Sequence, residues 1–161
     1  PPYFDEPAYI DALAESIERG YAGLDHEPDV LVCSYHGVPK RYLMEGDPYH
    51  CQCQKTTRLL KERLGWADDR IVTTFQSRFG PEEWLKPYTV EEVARLAESG
   101  KKRIAVCAPA FSISSLRKIK CIARPIITEK TIAPMARAIP SSTPSTLAVR
   151  IMANALIAGP E

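Results

Sequence analysis

A chain of 161 residues, 45% apolar and 25% charged, is long enough for one domain with its own core and too short for two full ones. Its formal net charge of +1 excludes a broad basic face, so nucleic acid is not an expected partner. No apolar run approaches the roughly 20 residues that span a bilayer, and Pro1-Pro2-Tyr3-Phe4-Asp5-Glu6 has the pattern of neither a signal peptide nor an anchor, so no transmembrane segment is expected and the chain reads as soluble and cytoplasmic.

Asp5 is placed to cap a first helix, in which Ile10, Leu13, Ala14 and Ile17 share one apolar face and Gly20 supplies the stop. Val30-Leu31-Val32-Cys33-Ser34-Tyr35, bounded by Pro28-Asp29 and His36-Gly37, has the apolar run of a strand covered on both faces. Asp47-Pro48 pairs a cap residue with a proline at the first helical position. The helix they open has Thr56, Leu59, Leu60 and Leu64 as its inward stripe and ends at Gly65. Ile71-Val72-Thr73-Thr74-Phe75 is a second, β-branched strand. Thr89 and Glu92 have capping-box spacing ahead of Val93, Leu96 and Ala97, with Gly100 as the stop. Ile104-Ala105-Val106-Cys107-Ala108 is the third strand. Alternating strands and amphipathic helices predict an α/β fold, a three-layer sandwich with a parallel sheet flanked by helices.

The charge and the periodicity both change near Phe111. Residues 1–111 carry a net charge of −4 and residues 112–161 a net +5, with Glu129 and Glu161 as the only acidic groups of the latter. The second part, rich in Ser, Thr, Ile, Ala and Pro, shows little period, apart from a conceivable alanine-rich helix over about 145–158, capped by Ser145 and ended by Gly159. The domain boundary is therefore set at residue 112, with 113–161 as a divergent tail. Cys33, Cys51, Cys53, Cys107 and Cys121 are odd in number and irregularly spaced, which points to reduced thiols rather than a disulfide framework.

In such sheets ligands bind beyond the carboxyl ends of the strands, which directs attention to His36-Gly37, Gln76-Ser77-Arg78 and Pro109-Ala110-Phe111. His36 has a side chain that titrates near neutrality and can accept a proton or ligate a metal, and Gly37 lets a ligand approach the backbone. The competing reading is a strand-end histidine bonded to a neighbouring loop. Gln76, Ser77 and Arg78 combine amide, hydroxyl and guanidinium donors suited to a carboxylate-bearing ligand. Trp84, Tyr88 and Phe111 can form flat apolar walls or simply pack in the core. Cys51 and Cys53 lean to opposite helical faces, which is a poor arrangement for chelating one ion even with His50 beside them, so an iron–sulfur cluster is not expected.

The stretches Ser34-Tyr35-His36-Gly37-Val38-Pro39-Lys40-Arg41-Tyr42, Gly46-Asp47-Pro48-Tyr49, Thr74-Phe75-Gln76-Ser77-Arg78-Phe79-Gly80 and Glu83-Trp84-Leu85-Lys86-Pro87-Tyr88-Thr89 together resemble the ferrochelatase family, of bacterial type, over about residues 1–112. The resemblance implies a chelatase-like, Rossmann-like α/β domain, the second of the family's two, with the N-terminal domain missing. It implies a metal-inserting lyase of haem biosynthesis that takes ferrous iron and a porphyrin (protoporphyrin IX or coproporphyrin) as substrates and requires no cofactor. By the same resemblance His36 is the catalytic histidine, acting as proton acceptor or metal ligand. Tyr35, Gln76, Ser77, Arg78, Trp84 and Phe111 line the porphyrin site. The family continues after this point with an acidic stretch of the type D-C-x-E-T-x-E-E, whose glutamate partners the histidine. Here Ser112-Ile113-Ser114-Ser115-Leu116-Arg117-Lys118-Ile119-Lys120 has no carboxylate. A shifted reading frame or a gene fusion after residue 112 would produce this. A cobalt chelatase is a related reading, against which the Gln76–Gly80 and Trp84–Pro87 stretches speak. A non-catalytic remnant or porphyrin-binding module is the reading of a different class.

Overall fold

The computed structural model describes residues 2–109 and the backbone of Arg124–Ile127. In chain order the elements are α1 (Pro7–Ala22), β1 (Val30–His36), α2 (Lys40–Met44), α3 (Tyr49–Leu64), a 3₁₀ turn (Asp68–Arg70), β2 (Ile71–Gln76), α4 (Thr89–Glu98), β3 (Ile104–Cys107) and β4 (Arg124–Ile127). The sheet order is β2-β1-β3-β4; β1 runs parallel to both β2 and β3, while β4 pairs antiparallel with β3.

The central strand explains the layering. Side chains alternate along a strand, so β1 serves two cores. Leu31, Cys33 and Tyr35 join Ile71, Phe75, Ala105 and Cys107 beneath α1 and α3, which contribute Ile10, Leu13, Ile17, Cys53 and Leu60. Val30, Val32 and Ile104 meet Leu96 of α4 on the other face. The three-layer α/β sandwich expected from the sequence is therefore present. The connection through α3 carries the chain from β1 outward to β2, and the connection through α4 carries it back across β1 to β3, so the helices cover opposite faces.

The helix ends depart from the sequence expectations in instructive ways. Asp5 does not cap α1: Glu6 holds the cap position, Pro7 opens the helix and Asp5 instead pairs with Lys55 of α3 at 2.6 Å. The helix runs through Gly20 to Ala22, because Tyr21 stacks on Trp66, with ring centroids 5.5 Å apart. Pro48 is the cap residue of α3 rather than its first helical residue, and the Asp47 carboxylate accepts the Tyr49 amide at 2.8 Å. Gly65 ends α3 at φ +65°, as its lack of a Cβ permits. The Thr89/Glu92 capping box does not form, since Tyr88 is the cap residue of α4 and Glu92 pairs with Arg95. The Thr89 hydroxyl goes to the sheet instead, 2.9 Å from Ser34 Oγ and 2.9 Å from Thr74 Oγ1. The short helix α2 carries no signal in the sequence, since none of its residues is buried and no apolar stripe marks it.

Two further devices fix the frame at the amino ends of the strands. Burial alone would raise the Asp29 carboxyl, but the Arg103 guanidinium and the backbone amides of Arg103 and Lys102 all donate to it and hold it below the ordinary carboxylate range. Arg70 reaches Glu27 and Lys101 reaches Asp69 around the same rim. No helix among the described residues is long and apolar enough to cross a membrane.

Candidate functional site at the carboxyl ends of the strands

The chain leaves β1 toward β2 in one direction and returns to β3 in the other, which makes the carboxyl ends of β1 and β3 the switch point where open α/β sheets form a crevice. A cavity of about 460 Å³ lies there, lined by His36, Tyr35, Val38, Tyr49, Tyr9 and residues of the first extended segment. Its lining is largely aromatic, and Cys53, Gln52 and Thr56 of α3 supply its polar groups. Tyr9 closes the β3 side, where its hydroxyl donates to the Pro109 carbonyl.

His36 is the last residue of β1 and is solvent-exposed, in contrast to the six buried residues that precede it. It pairs in register with Gln76, the last residue of β2, so two of the residues singled out in the sequence stand side by side at the sheet edge. Gly37 follows with its amide donated to the Gln76 carbonyl at 2.8 Å. A Cβ at this glycine would lie 2.7 Å from that same oxygen and 3.2 Å from Trp84 Cε3. The glycine is thus required for close approach of two backbones and an indole.

Trp84 reaches the site because the segment Glu83–Tyr88 is stitched across both strand ends. The amides of Lys40 and Leu85 donate to the Glu83 and Val38 carbonyls at 2.9 and 3.0 Å, Pro39 bridges Trp84, and the Phe75 amide donates to the Pro87 carbonyl at 2.9 Å. Trp84 is half-buried, and its indole nitrogen has no partner among the described residues. Tyr88 is half-buried behind it and contacts the Trp84 backbone through its hydroxyl. Between β2 and this strap, Ser77 takes φ +69°, the one left-handed non-glycine among the described residues, and the exposed Arg78 places its guanidinium 5.3 Å over the Tyr88 ring. Strain of that kind, of order 1–3 kcal/mol, persists where neighbouring structure enforces it and is common at functional sites.

His36, Gln76, Ser77, Arg78 and Trp84 therefore gather along one edge. Tyr35 is buried at 3% exposure, its hydroxyl lies 3.0 Å from Thr57 Oγ1, and it contributes to the cavity lining. Burial raises the Tyr35 phenol well above its ordinary value. Phe111 lies outside the described residues. Cys51 is exposed while Cys53 is buried in the cavity wall, and the described residues contain no group of three or more His, Cys, Asp or Glu able to hold a metal ion. Spacing alone does not single out the wall residues Tyr3, Phe4, Tyr9 and Tyr49. A usable signal was present for Tyr49, which directly follows the Asp47-Pro48 pair opening α3.

Comparison with known proteins points to one family. The family model described as Ferrochelatase matches residues 1–137, which runs past the change in charge near residue 112. The chain is 68% identical to a ferrochelatase of Rhodobacter capsulatus over 120 residues, covering 74% of this chain and 34% of that protein. It is 59% identical to a ferrochelatase of Rhizobium meliloti (strain 1021) over 123 residues, covering 76% of this chain and 36% of the relative. A ferrochelatase of Mesorhizobium japonicum is 53% identical over 124 residues, with 77% of this chain and 35% of the relative covered. The chain spans about a third of the length of the curated relatives it matches. A family match over most of the chain, joined to a histidine-bearing strand end at the switch point of an α/β sheet, leads to one assignment: the chain belongs to the ferrochelatase family.

Proposed function

We propose that this chain supplies the histidine-bearing wall of a site that inserts ferrous iron into a porphyrin. The observation that carries the reading is the exposure of His36 at the switch point, beside an aromatic-lined cavity and within one residue of a glycine packed against Trp84. Insertion replaces two pyrrole N–H protons by one Fe²⁺, so the site must accept protons, receive a cation and hold the macrocycle while its nitrogens turn toward the metal. A neutral imidazole over the ring accepts a proton or hands over the metal. Trp84 and Phe111 serve as flat walls, and Gln76, Ser77 and Arg78 serve as donors to the porphyrin's carboxylates. Iron is substrate here, and the chemistry requires no resident cofactor. The opposite wall of the cleft would come from the part of the family proteins that this chain does not span. The odd number and irregular spacing of the five cysteines fit a cytoplasmic setting.

The absence of any carboxylate in Ser112–Lys120 favours a second reading, a porphyrin-binding module without turnover, because the family's glutamate partner for the histidine has no counterpart there. Anaerobic ferrous-iron insertion, followed by porphyrin absorbance, separates the two. Turnover lost in His36→Ala and kept in His26→Ala supports insertion. Protein that shifts the porphyrin spectrum without metallating it supports the binding module.

A further inference from the structure

The last peptide of β1 is held by a group that the expected chemistry of the site did not include. The Tyr49 hydroxyl donates to the His36 carbonyl at 2.9 Å, across the cavity wall and between the first residue of α3 and the last of β1. We propose that Tyr49 is a positioning residue for His36, fixing the peptide plane from which the imidazole departs. The role given to His36 rests on the insertion reading above, whereas the clamp itself does not.

Both partners are also held by contacts other than the bond between them, which is what a clamp needs. The Tyr49 backbone is set by Asp47, whose carboxylate accepts its amide at 2.8 Å. The strand is set by α3 a second time, through Thr57 and the Tyr35 hydroxyl at 3.0 Å, and His50 stacks on Phe75 of β2 with centroids 5.6 Å apart. The end of β1 is therefore docked on α3 at Tyr35 and at His36, while the next residue, Gly37, is bonded to Gln76 on the other side. The His36 peptide lies between these restraints, and its side chain is the exposed one. Desolvation holds the Tyr49 phenol well above its ordinary value, so the hydroxyl keeps its proton and remains a donor throughout the range in which a histidine titrates.

A purely structural tyrosine here would act through its ring, which lines the cavity, and replacing it by phenylalanine would change nothing at His36. The test uses the full chain and the ring ¹H and ¹³C chemical shifts of its histidines at one fixed pH. Tyr49→Phe is expected to move the His36 ring resonances while those of His26, outside the cavity lining, stay in place. Where insertion is measurable, kcat is expected to fall roughly tenfold at unchanged porphyrin KM, because a misaimed imidazole weakens the reacting geometry and leaves porphyrin binding intact. Asp47→Ala, at an exposed position, is the second variant; by loosening the Tyr49 backbone it should move the His36 signals in the same direction by less. His36 resonances that match wild type in Tyr49→Phe overturn the clamp. If Tyr49→Phe does not fold, unmoved His36 signals in Asp47→Ala overturn it equally. Loss of the insertion reading shows separately, as activity that survives His36→Ala, and leaves the chemical-shift result standing.

Discussion

Thr89→Val removes one oxygen from a connected polar cluster in the core and keeps the side chain's shape. Thr89 is 1% exposed, and its hydroxyl lies 2.9 Å from those of both Ser34 and Thr74. The two neighbours fare differently when it goes. Thr74 keeps the bond it donates to the Cys33 carbonyl at 3.2 Å, whereas Ser34, also 1% exposed, loses the one hydroxyl partner it has among the described residues. A net hydrogen bond is worth about 1 kcal/mol and a buried group left unsatisfied costs about 1–3 kcal/mol, so Thr89→Val should cost roughly 2–4 kcal/mol. At about 4 °C per kcal/mol for a domain of this size, the midpoint of thermal unfolding falls by roughly 8–16 °C. The diagnostic quantity is the cycle with Ser34→Ala. Removing both partners leaves no orphaned hydroxyl, so the double variant should be less destabilised than the sum of the singles by at least about 1 kcal/mol. Denaturant unfolding of the four proteins measures this. Strict additivity would refute the shared hydroxyl cluster and restore Thr89 to a local helix cap.

Three further variants probe other contacts. Gly37→Ala forces a methyl to within 2.7 Å of the Gln76 carbonyl oxygen and 3.2 Å of Trp84, and overpacking of that kind costs about 1–3 kcal/mol, so unfolding experiments should show that loss and tryptophan fluorescence should report a displaced indole. Tyr21→Phe deletes a buried hydroxyl with no partner among the described residues while keeping the stack on Trp66, and should raise stability by up to about 1 kcal/mol, read as a higher denaturation midpoint. Asp29 carries a carboxyl whose folded pKa lies below its ordinary 3.8, so its stabilisation is complete above that pH and disappears as pH falls through the depressed value; Asp29→Asn should flatten the acid limb of the stability profile and leave its neutral side at a lower plateau.

The parts of the fold visible in the sequence are those where burial imposes a period. The mostly apolar run Val30–Tyr35 suits a strand covered on both faces, and β1 has α1 and α3 on one face and α4 on the other. The stripes of α1 and α3 likewise follow from what each helix must bury. Helix ends were less legible, because capping spacing is a local cue that a tertiary partner can override. Thr89 had the spacing of a capping box, yet two buried hydroxyls on the sheet claimed its side chain. Asp5 had the chemistry of a cap, yet Lys55 claimed its carboxylate.

Within the site, His36 and Gln76 were legible as strand ends because ligand sites in this architecture sit there. Their pairing in register, and the strap that carries Trp84 across them, depend on sheet order and on long-range backbone bonds that no spacing encodes. The aromatic wall was hidden for the same reason. Tyr9 belongs to α1 and Tyr49 to α3, and only the packing of those helices side by side on one face of the sheet brings them to a common cavity.

The proposed function turns on where a porphyrin would meet this chain, namely at the carboxyl ends of the strands around His36 and Gln76. Titration of the isotopically labelled chain with a metal-free porphyrin, read as amide shift changes residue by residue, tests it most directly. The amides of His36, Gly37, Gln76, Ser77 and Trp84 should move together while those of Asp29, Arg70 and Arg103, at the opposite ends of the strands, stay fixed. Shifts centred on Asp29 and Arg103, with His36 and Trp84 undisturbed, would contradict it.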